Sequence, residues 1–343
     1  MSLAASRRVP IAVAGFALGV AALAALTLGA LVIGPYPLSP GEALTLLVRR
    51  ALALPTEGGA PETVLLSIRL PRVAAALLVG AALAAAGAAY QTLFRNPLVS
   101  PDILGVSAGA GLGAVLGIFL ALPVAAIQLM GFAGGLAAVA LVASVSAAIR
   151  SGDRTLVLVL SGVVIGALAG AATSLLKVLA DPYDQLPAIT FWLLGSLAGA
   201  KTSDVLPTLP VVALGLLPLF LLRWRINVLS MGDEDARALG IDAGRLRGAV
   251  IVCATLVTAS VVAMAGIVGW VGLVVPHIAR MLVGPGFGRL LPAAALLGAG
   301  YLLVVDTLAR SIASVEVPLG ILTAVVGAPF FLWLLARGRR TFG

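Results

Sequence analysis

A chain of 343 residues in which 61% are hydrophobic and only 10% charged cannot hide its apolar surface from water in one globule; a soluble domain carries roughly a quarter of its residues as Asp, Glu, Lys or Arg. One cysteine, Cys253, and one histidine, His277, exclude a disulfide-stapled secreted scaffold and a soluble His/Cys metal enzyme. The net charge of +8 comes from arginines set singly or in pairs between apolar runs, with only Lys177 and Lys201 as lysines, a pattern of membrane topology and not of a nucleic-acid-binding face.

A helix needs about 20 apolar residues to cross the hydrocarbon. Charges and Pro/Gly punctuation predict spans near 11–33, 73–94, 103–121, 124–149, 155–180, 205–222, 248–268, 290–309 and 317–336. Two shorter apolar pieces, 188–200 and 271–283, read as broken or re-entrant helices, which membranes tolerate where the backbone is buried in protein. Counting 271–283 as a short crossing predicts ten transmembrane helices in a single all-α membrane domain over 1–343, with 188–200 a half-helix that returns to its own side. Ala and Gly dominate the spans, as small residues do where helix backbones approach closely in lipid. With the N-terminus inside, Lys and Arg divide 15 inside to 7 outside, so both termini are expected on the cytoplasmic side of a multi-pass inner membrane protein. The apolar stretch after Arg7-Arg8 is too long for a signal peptide and reads as a retained first helix.

The chain shows no enzyme constellation, so no catalytic residues and no metal ligands are assigned. Gly195-Ser-Leu-Ala-Gly-Ala200-Lys201-Thr202 approaches a phosphate-binding loop but lacks its second glycine and a preceding strand. Intramembrane acids are scarce, which argues against a proton- or sodium-driven carrier; Asp306 lies near the end of a span, and Asp102, Asp181, Asp184, Asp204 and Glu316 lie in or beside loops. His277 beside Pro276 reads as a structural hydrogen-bonding group and Cys253 as a small buried hydrophobe. The most polar stretch, 223–247, predicts a short helix with Asp233, Glu234 and Asp235 in its first turn, where negative charge suits the dipole, and Gly240 at its end.

This loop resembles the Glu-Ala-Ala-x-x-x-Gly coupling element of ABC-importer permeases: Glu234, Ala236 and Gly240 are in register, and Asp235 replaces the first alanine. Arg69-Leu-Pro-Arg72, Leu93–Leu98, Asp102–Gly109, Phe191–Gly199, Gly266–Arg280, Asp306–Arg310 and Glu316–Pro329 resemble, in order, blocks of the FecCD family of permeases for iron–siderophore, haem and cobalamin import. The resemblance covers about 64–338. It implies a ten-helix type II importer fold and a homodimer around a central pathway. It also implies two ABC ATPase subunits that hold the ATP and Mg, and a periplasmic substrate-binding protein on the other side. No cofactor is expected on this chain itself.

Carried over by position, the family's coupling contacts fall on Met231, Gly232, Asp233, Glu234, Ala236, Arg237, Leu239 and Gly240. Docking of the binding protein falls on Arg69, Arg72 and Arg310, whose planar guanidinium groups suit carboxylates and which are expected at a water-reached outer surface. The pathway falls on the fifth and tenth helices, here 155–180 and 317–336, with Ser161, Gly162, Gly166, Gly170, Thr173 and Ser174 leaving room for a bulky chelate and Thr155 at a cytoplasmic constriction. The expected cargo is an iron chelate, siderophore or haem, with cobalamin or molybdate as the alternative within the same fold. A stand-alone channel or membrane enzyme is the alternative of another class, which the 229–241 docking loop and the missing catalytic cluster disfavour.

Overall fold

The computed structural model of the chain describes residues 3–55, 58–149 and 154–338; Arg150, Arg339 and Arg340, three of the arginines counted as cytoplasmic, lie outside them. Among the described residues the regular structure is helical. In chain order it comprises α1 (Leu3–Val32), α2 (Pro40–Ala51), α3 (Ala60–Leu93), a 3₁₀ turn (Pro101–Leu104), α4 (Val106–Phe119), α5 (Val124–Ala148), α6 (Arg154–Leu179) and α7 (Gln185–Leu194). Then follow α8 (Thr202–Leu221), α9 (Arg223–Met231), α10 (Asp233–Ala238), α11 (Ala243–Ala265), α12 (Val271–Val283), α13 (Phe287–Ala309) and α14 (Leu319–Gly338).

Among the described residues seven helices, α1, α3, α5, α6, α8, α11 and α13, are long and apolar enough to cross a membrane. The shorter apolar helices α4, α12 and α14 complete the ten expected spans, and α7, at ten residues, is the half-helix. α3, α11 and α13 form the buried centre, and α1, α6 and α8 expose long apolar faces.

Small residues set the closest crossings. A Cβ on Gly80 of α3 would sit 2.1 Å from the carbonyl oxygen of Gly298 on α13, and one on Gly87 would sit 1.9 Å from that of Gly272 on α12. Any side chain at either position would push the two backbones apart. Close backbone approach replaces the hydrophobic drive that lipid removes.

Several helices start away from their predicted bounds, and at two of them local backbone geometry gives the reason. α3 begins well before 73, because a π-helical turn over Thr63–Arg69 precedes Pro71 and lets the helix run through a residue that cannot donate an N–H. α4 begins at Val106, after the 3₁₀ turn and the left-handed Gly105 (φ 76°). The connection between α1 and α3 also holds an unforeseen helix, α2, closed at its start by a reciprocal capping box between Ser39 and Glu42.

The alternation of spans gathers the 33–59, 180–201 and 310–318 connections at one end of the bundle, the α2 end. It gathers 222–242 and 284–286 at the opposite α10 end. Contacts across each end agree: Gln185 bonds the carbonyl of Phe119 at the first, and the N–H of Phe287 bonds Asn227 at the second.

Candidate functional site

At the α10 end the polar 223–247 segment folds into a rigid corner. The corner has the predicted short helix, α10, with Asp233, Glu234 and Asp235 in its first turn. Its end is a Schellman closure: the N–H of Ile241 donates to Ala236 O (2.8 Å) and the N–H of Gly240 to Arg237 O (2.9 Å), with Gly240 left-handed at φ 73°. Ile241 buries its side chain, and Asp242 then caps α11 by accepting from the Arg245 N–H at 3.0 Å. Ala236 is fully buried, and Asp233 bonds Arg247 of α11 at 2.9 Å.

The expected coupling residues therefore divide. Ala236, Asp233, Gly232 and Gly240 build and hold the corner. Met231 (70% exposed), Glu234, Arg237 and Leu239 (57% exposed) project from it. Glu234 and Arg237 form no side-chain hydrogen bond or ion pair among the described residues. The corner thus presents unpaired charge and two exposed apolar side chains on a fixed backbone.

The α2 end holds the second constellation, and here the structure differs from expectation. Arg69 and Arg72 are buried, 3% and 7% exposed, not open at a water-reached surface. Arg69 donates to the carbonyls of Leu31, Val32 and Tyr36, and Arg310 to that of Ala30. The last carbonyls of a helix have no partners within it, and two guanidinium groups supply them while opposing the negative end of the α1 dipole.

Arg72 is held by two carboxylates. Its Nε bonds Asp306 (2.9 and 3.1 Å), and its terminal nitrogens bond Glu316 (2.9 Å each), with one of them also 2.9 Å from Asp306. Asp306 is wholly buried, so its charge depends on these arginines, with Arg310 Nε 3.9 Å away. Glu316 also accepts from the Ser196 hydroxyl at 3.1 Å. What sequence reasoning missed is thus Asp306 and Glu316 as partners of Arg72, and Ser196 as a partner of Glu316. The signal was present: two acids flanking an arginine at the end of a span demand pairing in a low-dielectric medium.

The expected pathway residues of α6 do not share one face. Ser161 and Thr173 are buried, and Gly162 lies against the 3₁₀ turn, where a Cβ would come within 2.2 Å of Ile103 O. Gly166, Gly170 and Ser174 continue the row that Gly162 begins (i, i+4, i+8, i+12), which opens along α6 toward the exposed face carrying Val163 and Leu175, while Ser161 lies off it; Ser174 bonds back to Gly170 O at 2.9 Å. Gly170 has nothing within 4 Å of a built Cβ. Thr155 is half-buried at the start of α6. α14 likewise leaves Ile321, Val325 and Leu332 exposed. His277 is half-buried in α12, and its Nδ1 has no partner among the described residues, so the hydrogen-bonding role expected of it is not seen at that atom.

A model of the FecCD transport family matches residues 22–337. The chain is 44% identical over 276 residues to a probable iron chelatin transport system permease protein of Helicobacter pylori, covering 80% of this chain and 83% of that protein. It is 44% identical over 301 residues to the cobalamin import system permease protein of Halobacterium salinarum, covering 86% and 79%. A solved structure of a metal-chelate type ABC transporter in an inward-facing conformation matches with a TM-score of 0.84 at 37% identity, over 96% of this chain and 99% of that one.

Proposed function

Because the chain belongs to the FecCD transport family and is the permease of an ABC importer, we propose that it carries an iron chelate, siderophore or haem, inward across the cytoplasmic membrane. In this reading two copies enclose the pathway. The α10 end faces the cytoplasm with both termini, and the α2 end receives a periplasmic substrate-binding protein. ATP and its magnesium belong to two ATPase subunits, since the chain's own glycine-rich segment, 195–202, lacks the glycine that a phosphate-binding loop needs.

The observation that carries the reading is the α10 corner. Glu234 and Arg237 on α10, and Met231 and Leu239 flanking it, are exposed on a corner fixed at both ends, and the two charges form no side-chain hydrogen bond or ion pair among the described residues. A stand-alone channel has no use for such a surface. The stripe of Gly166, Gly170 and Ser174 beside exposed apolar residues of α6 suits close packing or a pathway wall once a second copy is present. Iron chelate is preferred over cobalamin because the Helicobacter relative carries that description, and cobalamin is the second reading because the Halobacterium relative carries the other.

The test is uptake by liposomes that hold the permease, its ATPase and a binding protein. ATP-dependent accumulation of a ferric siderophore or haem is expected, and hydrolysis should be absent without the ATPase subunit. Accumulation of cobalamin alone would reassign the cargo. Absence of any ATP-dependent uptake would break the reading.

A further inference from the structure

Every nitrogen of Arg72 is already engaged by a carboxylate, so an external carboxylate that takes a bidentate grip must displace one. Nε is engaged by Asp306, one terminal nitrogen by Glu316, and the other by both acids. The two acids are not equivalent. The Asp306 side chain is 0% exposed, whereas that of Glu316 is 26% exposed. Of the two acids, Glu316 is the one that solvent, and with it an incoming carboxylate, can reach.

We propose that Glu316 is an internal stand-in for a carboxylate of the binding protein, holding Arg72 until docking displaces it. The inference rests on the proposed docking of a binding protein at the α2 end. The exchange keeps charge balanced throughout: one carboxylate passes to water as another takes its two hydrogen bonds, and Asp306 stays paired. No buried arginine is left without a partner, so the exchange avoids the large penalty that breaking a buried pair carries.

Displacement also reaches the transport machinery. Ser311 to Val315 are all exposed, and Glu316 is the side chain that ties this loop inward. Beyond Glu316 the backbone N–H of Val317 bonds Ala309 O (3.1 Å) and that of Leu319 bonds Gly195 O (2.9 Å), where α14 begins. The same Glu316 oxygen that Arg72 bonds is bonded by Ser196, in the loop after the half-helix α7. Ser196 in turn bonds Ala265 O, at the end of α11, through its N–H at 2.9 Å. One carboxylate thus joins α3, the start of α14 and the α7 loop. Its release removes the side-chain tie shared by the two segments and leaves only their backbone bonds to hold them, so Glu316 acts as a positioning residue through Arg72 and Ser196.

The experiment uses the assembled importer in nanodiscs and the binding protein that stimulates hydrolysis by the wild-type complex. Glu316→Gln, which keeps shape but yields Arg72 more readily, should bind that protein about tenfold tighter than wild type, the scale of one charge-assisted contact no longer in competition. Without binding protein, the same variant should exchange the amide hydrogens of 311–319 faster, and Glu316→Asp should stay near wild type in both measurements. A purely structural bridge predicts equal or weaker binding in Glu316→Gln. That result, with wild type docking normally, overturns the exchange and leaves docking intact; a wild-type complex that docks no binding protein overturns both.

Discussion

The two ends of the bundle use charge in opposite ways. At the α2 end, Arg69, Arg72, Arg310 and Asp306 are withdrawn from solvent and satisfy one another or the carbonyls of α1, so these charges are part of the fold. At the α10 end, Glu234 and Arg237 stand in solvent on a corner held by backbone geometry and by buried Ala236 and Ile241. Removing a charge therefore has different meanings at the two ends. At the first it strands a partner in a medium of low dielectric; at the second it changes only what a partner meets.

The largest expected effect lies at the buried end. Arg72→Ala leaves Asp306 with Arg310 Nε at 3.9 Å as its remaining ion-pair partner, and loss of one member of a buried pair costs about 3–5 kcal/mol. The thermal unfolding midpoint in detergent should fall steeply, and adding Asp306→Asn should recover part of the loss. A change no larger than that caused by Glu234→Ala would dissolve the contrast between the ends.

A smaller effect belongs to the exposed end. Gly240 is left-handed at φ 73° with open space around its Cβ, so Gly240→Ala meets backbone strain and no clash; left-handed backbone costs an L-residue roughly 1–2 kcal/mol. The corner should loosen and ATP hydrolysis by the partner should lose its response to the permease, while the midpoint of the bundle moves little. Full response in Gly240→Ala would mean that the corner's geometry is not what couples. Ala236→Glu is a poorer probe, because Ala236 is wholly buried and the variant attacks the corner's packing, not its contact face.

The ends also differ in how far they could be read from the chain. α10 and its glycine stop were legible because their signals are local: three acids, then a glycine seven residues after the first. The ten spans were legible from hydropathy for the same reason. The Arg72 network was not, since Arg72 meets Asp306 across 234 positions and Glu316 across 244. With their partners unseen, Arg69 and Arg72 read as charges outside a span that started at 73, and their burial stayed hidden. The small residues of α6 failed differently. Composition marks Gly162 and Gly170 alike, and only packing shows one against Ile103 O and the other facing open space. α2 had a local signal, Ser39 three residues before Glu42, inside a connection too polar to attract a helix assignment.

The smallest expected effect lies on that helix, at the α2 end but outside the buried network, where charge should behave as it does at the exposed end. The Ser39 hydroxyl and backbone N–H both donate to Glu42 (2.8 and 3.0 Å) and hold its carboxyl below the usual carboxylate range. A group whose pKa is lower in the folded state stabilises that state above its unfolded value, roughly 4.3 for Glu, and loses the contribution as pH falls through the folded value. Protection of the Glu42 amide, which bonds Ser39 Oγ at 3.2 Å, should therefore weaken on acidification once intrinsic exchange is corrected. Glu42→Gln should flatten that pH dependence while the amides of α3 stay protected. Since Glu42 is exposed and solvent screens it, the change should stay within the first turn of α2. Spread of the acid response into α3 would show that even this exposed cap is wired into the buried network.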